Sequence, residues 1–335
     1  MSARNRPLIQ ISQLLIVCML LAACVVTPPP PTATGVPPSP TAVVPATQAP
    51  SATPNLPTAT PSPSPTSSST PPPAAIHFAV IGDFGEGNQA EADVAALVHG
   101  WNSDFVITVG DNNYPLGEAS TIDDHIGKYY HDFIFPYTGK FGPGATENRF
   151  FPTLGNHDWY TAGAKPYLDY FSLPGNERYY DFVWGPVHFF ALDSDENEPD
   201  GFRVNSVQAA WLQKGLAAST SAWNIVYFHE PPYSSGVVHG SSTWLRWPFA
   251  AWGAQAVLSG HEHNYERLLV DGIPYFVNGV GGGARYDFGT PLPESQFRYT
   301  ADYGAMLVTA SNTELHFEFE NRAGKLIDQY DVKKP

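Results

Sequence analysis

Cysteine is almost absent from this chain of 335 residues: Cys18 and Cys24 are the only two, and both lie near the amino terminus. The sequence beyond Cys24 therefore has no thiol that could form a disulfide, act as a nucleophile or bind zinc. A catalytic metal ion there would need oxygen or nitrogen ligands from Asp, Glu, Asn, His or Tyr. The composition excludes a disulfide-stabilised domain and a cysteine-dependent enzyme.

Basic side chains are also scarce, with 17 Lys and Arg against 32 Asp and Glu, for a net charge of −15. Proteins that coat nucleic acids gain affinity by neutralising phosphates with Lys and Arg, so we expect no nucleic-acid binding. The first 75 residues contain Arg4 and Arg6 and no acidic side chain. The acidic excess lies in residues 76–335, a length that suits one domain with a substantial core.

A short apolar run over residues 14–21 follows these two arginines. It is shorter than the roughly 20 residues that a transmembrane helix needs, and it has the length of the apolar region of a secretory signal. Leu21-Ala22-Ala23-Cys24 resembles a bacterial lipobox, in which the cysteine becomes the lipidated first residue; the alternative is an ordinary signal peptide with an incidental cysteine. We predict a lipoprotein signal peptide over residues 1–23, a lipid on Cys24, and an extracytoplasmic protein anchored to the cell membrane.

The composition changes sharply after Cys24. The 51 residues from Val25 to Ala75 include 17 Pro, 10 Thr and 7 Ser. Such a segment has too little apolar surface to offset the entropy of ordering, and its prolines favour extended conformations. We predict a disordered linker over residues 24–75.

Strand and helix patterns alternate from residue 76 onwards. Apolar runs at Ile76–Ile81 and Phe105–Val109 each end in Gly-Asp, which predicts a buried strand followed by a turn. Residues 90–99 between them have helical spacing, so the two strands are expected to be parallel and to place Asp83 and Asp111 at one sheet edge.

The remaining sequence becomes rich in strands towards its end, and we see no internal repeat or second linker in it. We therefore predict one domain over residues 76–335. Its further predicted elements are a hairpin (179–184 and 187–192), a helix (204–218), and strands at 150–154, 223–228, 256–259, 267–270, 273–277, 303–309, 314–320 and 325–332.

Five of the predicted strands end beside a side chain that can bind a metal ion, and Tyr114 and His263 lie within three residues of two of them. Because strand ends hold side chains firmly, they can fix a metal site before substrate arrives. The strand-end residues are Asp83, Asp111, Asn156, His229 and His261.

These residues occur in five ordered blocks, which resemble the signature of metallophosphoesterases, the calcineurin-like phosphoesterase superfamily. With Tyr114 three residues after Asp111, the sequence is similar to the purple acid phosphatase branch of that superfamily. The resemblance covers about residues 76–267 and implies an α/β fold: a four-layer α/β/β/α sandwich with two mixed sheets. The blocks are Gly82-Asp83-Phe84-Gly85, Gly110-Asp111-Asn112-Asn113-Tyr114, Gly155-Asn156-His157-Asp158, His229 and Gly260-His261-Glu262-His263.

The resemblance also implies a binuclear metal centre of iron(III) and a divalent ion, which would be zinc, manganese or iron(II). Asp111 would bridge the two ions. Carboxylate and phenolate oxygens suit the trivalent ion, whereas imidazole and amide groups suit the divalent one. The implied iron(III) ligands are Asp83, Tyr114 and His263, and the implied ligands of the divalent ion are Asn156, His229 and His261.

The activity implied by the resemblance is acid phosphatase activity: hydrolysis of small phosphomonoesters by a metal-activated hydroxide. His157 and His239 resemble the family's outer histidines for substrate binding and proton transfer. Two other functions stay open, a phosphodiesterase or nucleotidase with the same metals and a non-catalytic surface binding module. The sequence leaves the oligomeric state open and predicts membrane contact through the lipid alone.

Overall fold

The computed structural model describes residues 75–334. The predicted signal peptide, Cys24 and the linker up to residue 74 lie outside the described residues. None of the helices formed by residues 75–334 has the length and apolar character required to cross a membrane.

Thirteen strands and six α-helices make up the described part of the chain. The strands are β1 (Ile76–Ile81), β2 (Phe105–Thr108), β3 (Phe150–Pro152), β4 (Tyr180–Trp184), β5 (Val187–Ala191), β6 (Trp223–Tyr227), β7 (Ala256–Ser259), β8 (Tyr265–Val270), β9 (Ile273–Asn278), β10 (Ser295–Tyr299), β11 (Gly304–Ala310), β12 (Glu314–Asn321) and β13 (Leu326–Lys333). The helices are α1 (Gln89–Gly100), α2 (Lys128–Tyr130), α3 (Asn156–Trp159), α4 (Lys165–Tyr170), α5 (Val207–Ala218) and α6 (Phe249–Trp252). Shorter π and 3₁₀ segments lie at Asp123–Gly127, His131–Phe133, Ala162–Ala164 and Thr243–Leu245.

The strands form two mixed sheets. The first has the order β13-β12-β11-β1-β2-β3, and the second has the order β10-β8-β9-β7-β6-β5-β4. The pairs β1–β2 and β2–β3 are parallel, as are β5–β6, β6–β7 and β7–β9, whereas the outer strands pair antiparallel. The predicted parallel strand–helix–strand unit at residues 76–109 is therefore confirmed.

The two sheets pack face to face across an aromatic core. The ring of Phe78 in β1 stacks on Phe105 in β2 at 5.2 Å and meets Phe189 in β5 edge-on at 5.0 Å. Separate apolar clusters cover the outer faces, with Val94 and Val98 of α1 on the first sheet and residues of α5 and α6 on the second. This is the predicted four-layer α/β/β/α arrangement.

Some predicted boundaries were wrong. The helix predicted from residue 204 begins at Val207, because the Ser206 hydroxyl caps it by accepting the N–H of Ala209 at 3.1 Å. The strand predicted from residue 267 begins at Tyr265. Strand β10 was not predicted, since this partly exposed edge strand has neither an apolar run nor a clean alternation.

Candidate metal centre

The carboxyl ends of strands from both sheets supply the candidate ligands. Asp83 follows β1 and Asp111 follows β2 in the first sheet, while His229 follows β6 and His261 follows β7 in the second. Because the sheets pack face to face with these ends at the same side, the turns after them meet in one place. All four side chains are buried or nearly so.

The backbone at this place is strained in a way that few side chains tolerate. Asp83, Asp111 and His261 have positive φ angles of 54°, 52° and 68°. A residue with a Cβ in this left-handed region costs roughly 1–2 kcal/mol, and such strain collects where function requires a particular side-chain direction. Three candidate ligands therefore owe their direction to unfavourable backbone conformations.

One group of potential ligands comprises Asp83, Asp111 and His263, whose donor atoms lie within 4.8 Å of one another. The buried Tyr114 hydroxyl joins them. It donates to Asp111 Oδ2 at 2.8 Å, and it lies 3.3 Å from Asp83 Oδ1 and 3.1 Å from His263 Nε2. This group has the composition predicted for the iron(III) position.

A second group comprises Asp111, His229 and His261, again with donor atoms within 4.8 Å. His229 Nε2 lies 3.1 Å from Asn156 Oδ1 and 3.3 Å from Asp111 Oδ2, and His261 Nδ1 lies 3.1 Å from that same His229 nitrogen. Asp111 belongs to both groups. The structure thus brings all seven predicted ligand positions together around one shared carboxylate.

Hydrogen bonds outside the cluster orient two of the imidazoles. His229 Nδ1 donates to the carbonyl oxygen of Val109 at 2.8 Å, and His263 Nδ1 donates to that of Ala284 at 2.6 Å. A carbonyl can only accept, so Nδ1 carries a proton in each ring, and Nε2, which faces the cluster, is the nitrogen that a cation can bind once it is deprotonated. Within residues 75–334, no Lys or Arg forms an ion pair with Asp83 or Asp111. Two buried carboxylates whose partners are imidazoles, with no Lys or Arg, fit a metal site.

The charges of the cluster depend strongly on one another. Burial alone would lower the pKa of His229, but Asp111 and Asp83 raise it to about 10. Burial alone would raise the pKa of Asp111, but His229 holds it well below its usual range. Burial raises the pKa of Tyr114 well above its usual value, and the neighbouring carboxylates raise it further. A cation bound here would thus compete with protons for these ligands.

The two predicted outer histidines border the cluster. His157 Nδ1 donates to the carbonyl oxygen of Pro115 at 2.6 Å, which leaves its Nε2 4.0 Å from Asp111 Oδ2. The ring of His239 lies 4.0 Å from that of His261, and burial lowers the pKa of His239. Each ring therefore has a position from which it can meet a molecule bound at the cluster.

Sequence reasoning assigned no role to Asp158, although it lies in one of the blocks. Its buried carboxylate accepts the N–H of Gly155 and the side-chain amide of Asn112, both at 2.9 Å. Burial, followed by the charge of Asp111, raises the pKa of Asp158 to about 7. Asp158 therefore links the turn after β3 to the turn after β2. In the sequence, its position directly after Asn156 and His157 could have indicated this role.

A cavity of about 700 Å³ opens beside the cluster. Candidate ligands and an outer histidine form one wall, and the loops after β5 and β6 form the others. The lining residues are Asn156, Tyr160, Asp195, Glu196, Asn197, Phe202, Arg203, Glu230, Val238, His239, Ser242, Trp244 and His261.

Comparison with known proteins finds a matching family and several relatives. The family model for calcineurin-like phosphoesterases matches residues 76–265. The chain is 25% identical to tartrate-resistant acid phosphatase type 5 of Homo sapiens over 78% of this chain and 91% of that protein. It is 23% identical to purple acid phosphatase 3 of Arabidopsis thaliana over 76% and 77%.

Solved structures show the same fold. The purple acid phosphatase PPD1 from yellow lupin (Lupinus luteus) seeds has a TM-score of 0.62 and 18% identity, covering 78% of this chain and 54% of the lupin chain. GAP50, the anchor in the inner membrane complex of Plasmodium, has a TM-score of 0.60 and 20% identity, covering 77% and 89%.

Proposed function

Because the chain belongs to the calcineurin-like phosphoesterase family, we propose that this metal-dependent phosphoester hydrolase is an acid phosphatase that acts on phosphomonoesters with two metal ions. The observation that carries the proposal is the position of Asp111, whose carboxylate is common to both groups of potential ligands. A carboxylate has two oxygens and can bridge two cations, whereas a single-metal site has no need of two ligand groups that share one member.

The donor types support an assignment of the two positions. Asp83, Tyr114 and His263 with Asp111 would hold iron(III), because anionic oxygen ligands suit a trivalent ion. Asn156, His229 and His261 with Asp111 would hold zinc, manganese or iron(II). When bound, the two cations would neutralise phosphate oxygens and lower the pKa of a water molecule.

The outer histidines would act on the substrate itself. The proton on His157 Nδ1 is fixed by the Pro115 carbonyl, so its Nε2 meets a bound phosphoester either as an acceptor or, when protonated, as a donor. His239 stands over His261, on the wall of the cavity that the alcohol part of the ester would enter. We assign His239 to protonation of the departing alkoxide and His157 to phosphate binding.

The amino-terminal sequence supports a proposal on location. Leu21-Ala22-Ala23-Cys24 after an apolar run is typical of a lipoprotein signal, so we propose that a lipid on Cys24 anchors the enzyme outside the cytoplasm. A Cys24→Ala variant should move from the membrane fraction to the soluble exported fraction. Retention in the membrane fraction would contradict the anchor.

Hydrolysis of p-nitrophenyl phosphate and of its bis(p-nitrophenyl) diester by the metal-loaded protein tests the function. We expect turnover of the monoester at acid pH and a kcat/KM for the diester that is lower by about 100-fold. Asp111→Asn should lower monoester turnover by about 100-fold or more, and the exposed Asp169→Asn should not. Equal or faster turnover of the diester would favour a phosphodiesterase. No turnover of either ester would favour a non-catalytic binding module.

A further inference from the structure

Three carboxylates line the cavity beside the metal cluster: Asp195, Glu196 and Glu230. Asp195 is only 6% exposed, and its Oδ1 accepts the backbone and side-chain N–H groups of Asn197 at 2.8 and 2.7 Å. Its Oδ2 has no hydrogen-bond partner among residues 75–334. In the same part of the chain, none of the three carboxylates forms an ion pair with Lys or Arg. Burial raises the pKa of Asp195 and of Glu230, and neither has a Lys or Arg partner among the described residues for the negative charge that it carries when ionised.

Two aromatic side chains share the cavity with these carboxylates. Tyr160 and Trp244 line the cavity and are 57% and 41% exposed, which is high for such large rings. The Tyr160 hydroxyl accepts the side-chain amide N–H of Asn156 at 3.2 Å, so this ring directly adjoins the candidate ligands. Aromatic faces with nearby carboxylates attract cations, and they are typical of sites that bind quaternary ammonium groups.

One basic side chain, Arg203, shares the cavity. It is exposed, and its guanidinium lies 4.9 Å from the ring of Phe202. Its single positive charge stands against three carboxylates, so the cavity walls are negative when these are ionised. A substrate with further anionic groups, such as a nucleoside triphosphate, would be repelled there, whereas a cationic alcohol part would be attracted.

We propose that this cavity selects phosphomonoesters whose alcohol part carries a positive charge, that is, the phosphates of amino alcohols. The phosphate would lie at the metal cluster and the ammonium group between Tyr160, Trp244 and Asp195. The inference rests on the proposed phosphatase function, whose metal centre would bind the phosphate.

A matched pair of substrates isolates the charge. Choline phosphate and 3,3-dimethylbutyl phosphate have nearly the same shape, but the first has a quaternary nitrogen where the second has a neutral carbon. For the metal-loaded full chain at one pH and low salt, we expect kcat/KM for choline phosphate to exceed that for the neutral ester by about tenfold. The ratio should fall as salt rises, because the attraction is screened.

Two variants locate the effect. Asp195→Asn and Glu196→Gln should each lower the ratio of the two kcat/KM values several-fold, and together they should bring it close to one. Glu147→Gln makes the same chemical change on an exposed residue that does not line the cavity, and it should leave the ratio unchanged. Because the ratio is taken within each protein, a change in the folded or metal-loaded fraction cancels.

The outcomes separate the inference from its premise. Turnover of both esters with a ratio of one or less in the unmodified protein would overturn the selectivity and leave the phosphatase function intact. An unchanged ratio of the two kcat/KM values in Asp195→Asn and in Glu196→Gln would also overturn the selectivity, because the charge would then be recognised elsewhere. Turnover of neither ester would overturn the proposed function and the selectivity together.

Discussion

The carboxylate of Glu262 holds the backbone of His239. Its Oε1 accepts the His239 N–H at 2.5 Å, together with those of Val238 at 3.1 Å and Gly240 at 2.6 Å. Glu262 is fully buried and lies between His261 and His263 in the sequence. Its side chain points away from the metal cluster, and so it ties the loop that carries an outer histidine to the segment that carries two candidate ligands.

The Glu262–His239 contact predicts a positioning role. Glu262→Ala would leave three N–H groups without a charged acceptor, and charge-assisted hydrogen bonds are roughly twice as strong as neutral ones. We expect kcat for a phosphomonoester to fall about tenfold with the metal content retained, and amide exchange at residues 238–240 to become faster. Glu262→Gln keeps an acceptor oxygen and should recover part of kcat.

A matched control is Glu147→Ala, which removes an exposed carboxylate and should change neither quantity. Loss of bound metal together with kcat in Glu262→Ala would indicate that Glu262 supports the ligands rather than the loop. Unchanged kcat and unchanged amide exchange would contradict the positioning role altogether.

Gly110 keeps space for the ring of His229. A Cβ at this glycine would lie 2.5 Å from His229 Nδ1, and the φ angle is +88°. Gly253 has a φ angle of +105° but nothing within 4 Å of such a Cβ. Both Gly→Ala changes should lower the free energy of unfolding by about 1–2 kcal/mol through backbone strain.

Only Gly110→Ala should also lower the number of metal ions per chain, because it displaces His229 and breaks its hydrogen bond to Val109. Elemental analysis of both variants after identical metal loading checks this prediction. Equal metal content in Gly110→Ala and Gly253→Ala would show that His229 does not contribute to metal binding.

An ion pair between a partly exposed arginine and a buried glutamate holds the acidic loop that lines the cavity. Arg178 Nε lies 2.9 Å from Glu198 Oε2, and the Glu198 side chain is wholly inaccessible to solvent. Arg178→Ala would leave that carboxylate buried without its partner, which costs about 3–5 kcal/mol. Lys165–Asp169 is an exposed pair with a 2.7 Å contact, and Lys165→Ala should cost less than about 1 kcal/mol.

Urea unfolding of the two variants measures this difference in the free energy of unfolding. Similar losses in Arg178→Ala and Lys165→Ala would contradict the need of the buried Glu198 carboxylate for its partner and the part of this pair in holding residues 193–200.

Metal removal should destabilise the protein. Asp83 and Asp111 are buried side by side, and a cation that binds only the folded state adds about 2.7 kcal/mol to the free energy of unfolding at a hundredfold excess over its Kd. Dialysis against a chelator should therefore lower Tm, and readdition of metal should restore it. The same treatment of Asp111→Asn should change Tm much less, whereas an equal decrease in both proteins would place the stabilising metal elsewhere.

The sequence predicted the candidate site better than it predicted the cavity. Short apolar runs ending in Gly-Asp, Gly-Asn or Gly-His placed the candidate ligands at strand ends, because a parallel sheet gathers such ends at one edge. That argument is local, since the candidate ligands that follow β1, β2, β3, β6 and β7 lie two to six residues beyond the strand end. The inter-sheet core could also be predicted from the sequence. Leu315, Phe317 and Phe319 alternate with polar residues along β12, and their side chains are buried.

The side chains that act through other residues could not be predicted in this way. Glu262 lies between His261 and His263 in the turn that joins β7 to β8, and its partner at residues 238–240 is fixed only by the path of a loop. The acidic cavity wall likewise depends on Arg178, which contacts Glu198 across 20 residues of sequence. Tertiary contacts determine where these side chains lie, and neither the hydrophobic periodicity nor the residue spacing of the sequence predicts such contacts.

The most direct test of the two-metal centre is the visible absorption spectrum of the purified protein, measured together with its content of iron and of the second metal. We predict two metal ions per chain and a broad visible band from the Tyr114 phenolate on iron(III), which should disappear in Tyr114→Phe. Tyr286→Phe is the matched control, because that ring stacks on His263 at 4.2 Å without joining the cluster, and the band should persist. A single metal ion per fully active chain, or a band unchanged in Tyr114→Phe, would contradict the account.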